Sequence, residues 1–419
     1  MIFKYCSIYF SFLWLVGSGT FALAESVQGI SLTRLDRIDQ MAQQYIQEGR
    51  IPPVVYAVAR RGETVRMATV GAAKKDDIFR IYSMTKPVTT VAVLQLYEAG
   101  KFLLTDPVSR YLPEFQNPQV YVGVDQNGVV QTKAAAKPIT IEDLLTHTAG
   151  LTYDDPTSTG VPFIYSTADI WSAKTVAEFS TKVAALPLMF EPGSRWHYSV
   201  AHEILGYLVA VVSGQSFDQY VSAEIFEPLG MKDTSFVLPN SKVSRLRDRY
   251  ARVGETMRLS EEAATSAYLA ADKLPYGGGG LLSTAADYLR FAQMLLDGGQ
   301  LDGHQILGRK TVDLMLMDHV GDFAEPKLGD EWVGRTENRS GEMHLGLGYG
   351  YGGYVVTDVA ANDVPGSVGT YSWGGTASTY FFVDRQEQLI GLFLTQLTPS
   401  DSYPLRAQFR GLVYQALED

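Results

Sequence analysis

Ser83 and Lys86 stand three residues apart in Ser83-Met84-Thr85-Lys86, the only Ser-x-x-Lys in the 419-residue chain. On a helix this spacing puts two side chains on one face, one turn apart, with Cβ atoms about 5–6 Å from each other. An amine can then reach the serine hydroxyl, a weak nucleophile until a neighbour takes its proton. The spacing alone is common, so its setting gives it weight. Thr85 to Glu98 reads as a helix with Val88, Val91, Ala92 and Leu96 in an apolar stripe, and Pro87 falls in the first turn, where it is tolerated. A helix N-terminus also stabilises negative charge developing at the serine.

Other chemistries find little support. There is no G-x-S-x-G nucleophile elbow and no phosphate-binding G-x-x-x-x-G-K-[S/T] loop. His202-Glu203 opens like a zinc-protease helix but lacks a second histidine at the required spacing, and the six histidines are otherwise scattered, so no metal or other cofactor is expected. A net charge of −11 argues against nucleic acid and anionic membranes, which need a basic field. Partners should be small molecules.

The elements that must position the serine follow from periodicity. The first 24 residues read as a signal peptide: Lys4, an apolar run from Ile8 to Val16, and a small-x-small site at Ala22-Leu23-Ala24. Cleavage there would leave Glu25 first and remove Cys6, the single cysteine, so the exported, periplasmic or secreted protein has neither disulfide nor thiol nucleophile. No later stretch is long and apolar enough to keep it in a membrane. Leu32 to Gly49 reads as an amphipathic helix, then Val54–Ala59 and Thr64–Val70 as a hairpin. From about Thr105 to Tyr276 the pattern is helical and loop-rich, ending at the Gly277–Gly280 run. Thr284 or Ser283 caps a helix through Leu296. Tyr349–Thr357, Ser378–Val383 and Leu389–Thr395 read as strands, and Leu405 to Leu417 as a closing helix. A lone hairpin is marginal, so the N-terminal pair should join the C-terminal strands in one sheet. Residues 25–104 and 276–419 would then form an α/β (α+β) sheet domain, with 105–275 inserted as a mainly helical one.

Tyr198-Ser199-Val200 and Trp373-Gly374-Gly375 supply two further motifs in order after Ser83 and Lys86. Together the three resemble the family VIII carboxylesterases, relatives of class C β-lactamases and penicillin-binding serine peptidases. Supporting stretches are the Leu144–Leu151 segment, Glu191-Pro192-Gly193, Gly277–Asp287 and Val383-Asp384. The resemblance implies that fold: a mixed, mainly antiparallel sheet flanked by helices with an inserted helical domain. It also implies that Ser83 is the acylated nucleophile and that Lys86 and Tyr198 are its proton-transfer pair. Which of the two removes the proton stays open, because each lends the other basic character. The backbone amides of Ser83 and Thr376 would form the oxyanion hole.

Two departures from the lactamase pattern bear on substrate. Trp373 stands where a lactamase has lysine, and Val200 where it has asparagine, removing a cation and an amide. Both favour a neutral ester over an anionic lactam. Gly374 and Gly375 let substrate approach the strand, and His197 is a candidate lining residue, whereas His147 belongs to a structural turn. Tyr153, Phe163, Tyr165, Trp171, Trp332 and Tyr349 are candidate pocket walls. The expected activity is hydrolysis of short acyl esters. Rivals are a β-lactamase, a D-amino-acid peptidase, an acyltransferase of the same fold, and an inactive cell-wall-binding relative. Oligomeric state is not written in the sequence.

Overall fold

The computed structural model describes residues 26–321 and 346–419. The leader reading at 1–24 and Trp332 lie outside the described residues. A seven-stranded sheet organises the rest. Its strands are β1 (Val54–Arg60), β2 (Glu63–Val70), β3 (Leu347–Tyr349), β4 (Tyr354–Val356), β5 (Tyr371–Gly375), β6 (Thr379–Asp384) and β7 (Leu389–Leu394). Their spatial order is β3-β4-β5-β6-β7-β1-β2, antiparallel at every step. The N-terminal hairpin thus pairs with the C-terminal strands, Val55 facing Leu394 and Arg60 facing Leu389. Joining the existing sheet satisfies backbone groups that an isolated hairpin leaves to water.

Strands β1, β6 and β7 are buried along their whole length, so both sheet faces are covered. On one face Tyr56, Val58, Phe382 and Phe393 pack against helices α1 (Leu32–Gln47) and α5 (Leu405–Tyr414). On the other, Val55, Ala57, Phe381 and Leu392 join the larger core, which holds α2 (Thr85–Glu98), α3 (Ala201–Ser213) and α4 (Ala285–Leu296). Helix α2 is buried on nearly every side, from Thr85 through Leu94, rather than along one stripe. It is a central helix packed between sheet and helical region. Helix α4 starts where the sequence places it, with the Thr284 hydroxyl accepting from the Asp287 amide at 3.2 Å.

The structure departs from the sequence reading in three places. The 105–276 stretch carries two hairpins, Gln119–Val124 with Val130–Ala134 and Arg249–Val253 with Thr256–Glu261. The second also pairs in parallel with Leu397–Thr398. Tyr349–Thr357 is not one strand but two, β3 and β4, because the chain turns at Gly350–Gly353, with Gly352 at φ 77°. Finally, Ser83 sits in a short 3-10 turn, Tyr82–Met84, just before α2. Among the described residues, no helix is long and apolar enough to cross a membrane.

Candidate active site

Ser83 is held in a turn that the chain strains to make. Tyr82, immediately before it, has φ 44°, a left-handed value that a bulky side chain adopts only where its surroundings enforce it. The Met84 amide returns to the Ile81 carbonyl at 3.1 Å, and Ile81 in turn donates to Leu281 O at 3.1 Å. Ser83 and Tyr82 stay partly open to solvent while Ile81 and Met84 are buried. A hydroxyl is thereby presented at the surface of a fixed turn.

Tyr198 reaches that hydroxyl from the loop before α3, its own hydroxyl 2.7 Å from Ser83 Oγ. Lys86, the second residue of α2 and fully buried, makes no hydrogen bond to Ser83. Its ammonium donates to Gly278 O at 2.8 Å and to Tyr153 Oη at 3.1 Å, and stands 4.5 Å from the centre of the Tyr198 ring. A cation within about 6 Å of an aromatic face is attracted to it, by about 2 kcal/mol when water is excluded. The serine, the phenol and the ammonium therefore form one contiguous set, with the phenol in the middle.

The glycine run that ends the helical region is what allows this packing. The Thr89 hydroxyl donates to Gly277 O at 2.6 Å, and the Leu281 amide donates to Thr85 Oγ1 at 3.1 Å, so the loop is stitched along the first turns of α2. A Cβ at residue 277 would fall 2.3 Å from His202 O, and one at 278 would fall 2.2 Å from the Glu203 carboxylate oxygens. Only glycine lets the loop lie between α2 and α3.

Strand β5 forms the opposite wall. A Cβ on Gly375 would meet Ile81 O at 2.3 Å, so the strand end and the Ser83 turn are in close contact. Thr376 follows, partly exposed, in a turn closed by Ser378 N to Gly375 O at 3.1 Å. Trp373 packs against Tyr198 and Tyr354, with ring centres 5.6 and 4.6 Å away. Gly374 faces elsewhere. The space that a side chain there would fill holds the Arg406 guanidinium from α5, which donates to Gly375 O at 2.8 Å. A cation thus borders the strand although residue 373 is not one, and burial lowers its pKa. No motif or spacing points to Arg406, which lies in the C-terminal helix, far along the chain from Ser83.

The β-lactamase family model matches residues 38–415. The chain belongs to the β-lactamase family. It is a serine hydrolase of that fold, related to the family VIII esterases. Esterase EstB of Burkholderia gladioli is 30% identical over 407 residues, 90% of this chain and 94% of that protein. An uncharacterized protein of Mycobacterium tuberculosis is 36% identical over 351 residues, 81% of this chain and 82% of its own. Among solved structures, EstCE1, described as a hydrolase with promiscuous acyltransferase activity, superposes with a TM-score of 0.74 at 29% identity, covering 91% of this chain and 99% of that one.

The remaining residues singled out from the sequence divide by burial. Val200 is fully buried at the start of α3 and offers no surface to a ligand, so as a substrate-contacting residue it is corrected to a core one. His197 bonds Thr152 Oγ1 at 3.0 Å, and burial pushes it down to about 4. His147 is buried at φ 56°, its Nδ1 3.0 Å from Ser199 Oγ, and burial holds it well below the usual imidazole range. It supports Tyr198 from below, ring centres 4.9 Å apart. Tyr165 and Tyr349 are core residues, whereas Trp171 is exposed and stacks on Tyr153 at 6.2 Å. Phe163 is exposed. Tyr153, named in the sequence only as a wall, and Glu203, set aside there with the failed zinc pattern, both belong to the site. The Tyr153 hydroxyl donates to Glu203 Oε1 at 3.1 Å.

Proposed function

We propose that this is an exported esterase that cleaves short-chain acyl esters through an acyl-enzyme on Ser83. The observation that carries the mechanism is the 2.7 Å contact between the Tyr198 and Ser83 hydroxyls, with the buried Lys86 ammonium over the same phenol ring. A phenolate beside an ammonium is stabilised, so Tyr198 can take the Ser83 proton as Oγ attacks the ester carbonyl. The carbonyl oxygen becomes an oxyanion facing the Ser83 and Thr376 amides. Collapse of the tetrahedral intermediate expels the alcohol, which receives the proton from Tyr198. Water then enters and gives a proton to Tyr198 as its oxygen attacks the acyl carbon, and collapse of this second intermediate breaks the bond to Ser83 Oγ, which takes the proton back from Tyr198 while the carboxylic acid leaves. No metal or cofactor is called for in this sequence of steps.

A neutral ester is favoured by Trp373, which puts an indole rather than an amine beside Tyr198. The Burkholderia relative, an esterase by name, supports the same substrate class. Acyl transfer to an alcohol in place of water is the second reading, supported by the transferase activity named for EstCE1. A panel of p-nitrophenyl esters of graded acyl length, run beside benzylpenicillin and with or without added alcohol, tests both. Acetate or butyrate should give the higher kcat/KM. Penicillin hydrolysis at an equal or greater rate would sink the esterase reading. Export rests on the N-terminal pattern, and intact mass from the native host should show Glu25 as the first residue; a full-length, membrane-held form would exclude it.

A further inference from the structure

Glu203 is a buried carboxylate that the steps above do not use. It lies in the first turn of α3, and its Oε2 has no hydrogen-bond partner. Its Oε1 accepts from the Tyr153 hydroxyl at 3.1 Å, and that same oxygen of Tyr153 accepts from the Lys86 ammonium at 3.1 Å. The Tyr153 hydroxyl thus stands between the amine and the carboxylate, accepting from one and donating to the other, as a neutral phenol can. The same carboxylate fills the space over Gly278, whose carbonyl takes another Lys86 proton.

We propose that Glu203 and Tyr153 are positioning residues that keep Lys86 an ammonium beside Tyr198, Glu203 supplying the counter-charge and Tyr153 relaying it. The inference rests on the serine-hydrolase reading of the site and adds to it the origin of the lysine's charge. A buried ammonium without an anion would shed its proton, because desolvation disfavours the charged form. With Glu203 ionised, the ammonium persists to higher pH and continues to stabilise the Tyr198 phenolate. Burial keeps the Tyr153 phenol neutral, its pKa raised well above the usual tyrosine range, as a relay requires. Burial also raises Glu203, and the Lys86 charge opposes that rise. The other titratable groups facing this pair are Tyr198, His147 and His202, and Tyr276 on the Glu203 side. Both imidazoles are held well below their usual range by burial, so they stay neutral throughout the alkaline limb.

The sign of the effect follows. Removing the carboxylate charge should let Lys86 lose its proton at lower pH, moving the alkaline limb of activity toward acid. An opposite charge within about 4–6 Å shifts a pKa by about 1–3 units, so a shift on that scale is expected. The test compares wild type, Glu203→Gln, Tyr153→Phe and the double variant from pH 6 to 10. Two readouts are used: kcat/KM for p-nitrophenyl butyrate and the rate of labelling of Ser83 by a fluorophosphonate. Each single variant should move the limb in both readouts, and the double variant should match the singles. Loss of activity at all pH values with the limb unmoved would overturn the proposal, as would independent, additive shifts. Tyr153→Phe keeps the test open should Glu203→Gln fail to fold. If wild type labels at Ser83 but leaves the ester intact, the ester assignment fails while the labelling profile still decides this one.

Discussion

Tyr198 touches the Ser83 hydroxyl directly, whereas Lys86 stands over the face of the phenol ring, so in the proposed mechanism the lysine acts on the serine through Tyr198. Groups that move one proton as a unit do not lose activity additively, because removing either already disables the transfer. Lys86→Ala, Tyr198→Phe and the double variant should therefore each lose about 10²–10⁴-fold in kcat/KM, the scale of a positioned acid or base, and should resemble one another. Steady-state kinetics on folded variants reads this, and clean multiplication of the single losses would mean that the residues act independently. The Ser83 and Lys86 pair was legible because it is local, three residues in one turn. Tyr198 was legible only through the order of motifs. Glu203 and Arg406 were not, and Tyr153 and Gly278 registered only as a candidate wall and as part of a glycine-rich stretch, since packing alone brings together residues as far apart as Lys86 and Gly278. No spacing rule spans such a distance.

The Gly277–Gly280 loop matters at the scale of elements, because it sets how closely α2 and α3 approach the site. Gly278→Ala would push a methyl into the Glu203 carboxylate, at 2.2 Å before any adjustment. Overpacking of this kind costs about 1–3 kcal/mol, so the variant should show a lower Tm and reduced ester turnover together. An unchanged Tm and rate would mean that the loop has room the geometry does not show. In the sequence this run registers as a break between regions, and nothing there says that two helices clamp it. The hairpin over Gln119–Val124 and Val130–Ala134 was missed for a related reason. Its second strand is exposed at all five positions, so it has no buried face to produce an alternating pattern. The sheet strands β1, β6 and β7 were found because β-branched and aromatic residues fill them, although burial on both faces removes alternation there as well.

Three neutral imidazoles lie around this centre, His147 and His202 buried and His197 half-buried, which ties whole-molecule stability to pH. His147, His197 and His202 all have pKa values depressed by burial, His197 to about 4. In the unfolded chain they take up protons below about 6.5. The unfolded state therefore binds more protons, and stability, complete above that value, falls as pH drops toward the folded pKa values. Asp233, held below the usual carboxylate range by its hydrogen bonds to Arg245, and Asp313, held there by Arg385, add a further loss once the unfolded carboxylates protonate near about 4. The Tm should thus be highest above pH 7 and decline steadily through pH 6 and 5. A Tm independent of pH from 7 to 5 would contradict the buried neutral imidazoles.

The central claim is that Ser83 carries the acyl group. Trypsin cuts after Arg80 and next after Lys101, because Lys86 precedes a proline, so the peptide of residues 81–101 holds Ser83 as its single serine. Treating the folded protein with a fluorophosphonate and mapping the adduct by mass should place one phosphonyl increment on that peptide, on Ser83, with neither adduct nor turnover in Ser83→Ala. An adduct on another serine, or ester turnover that survives Ser83→Ala, would contradict the account.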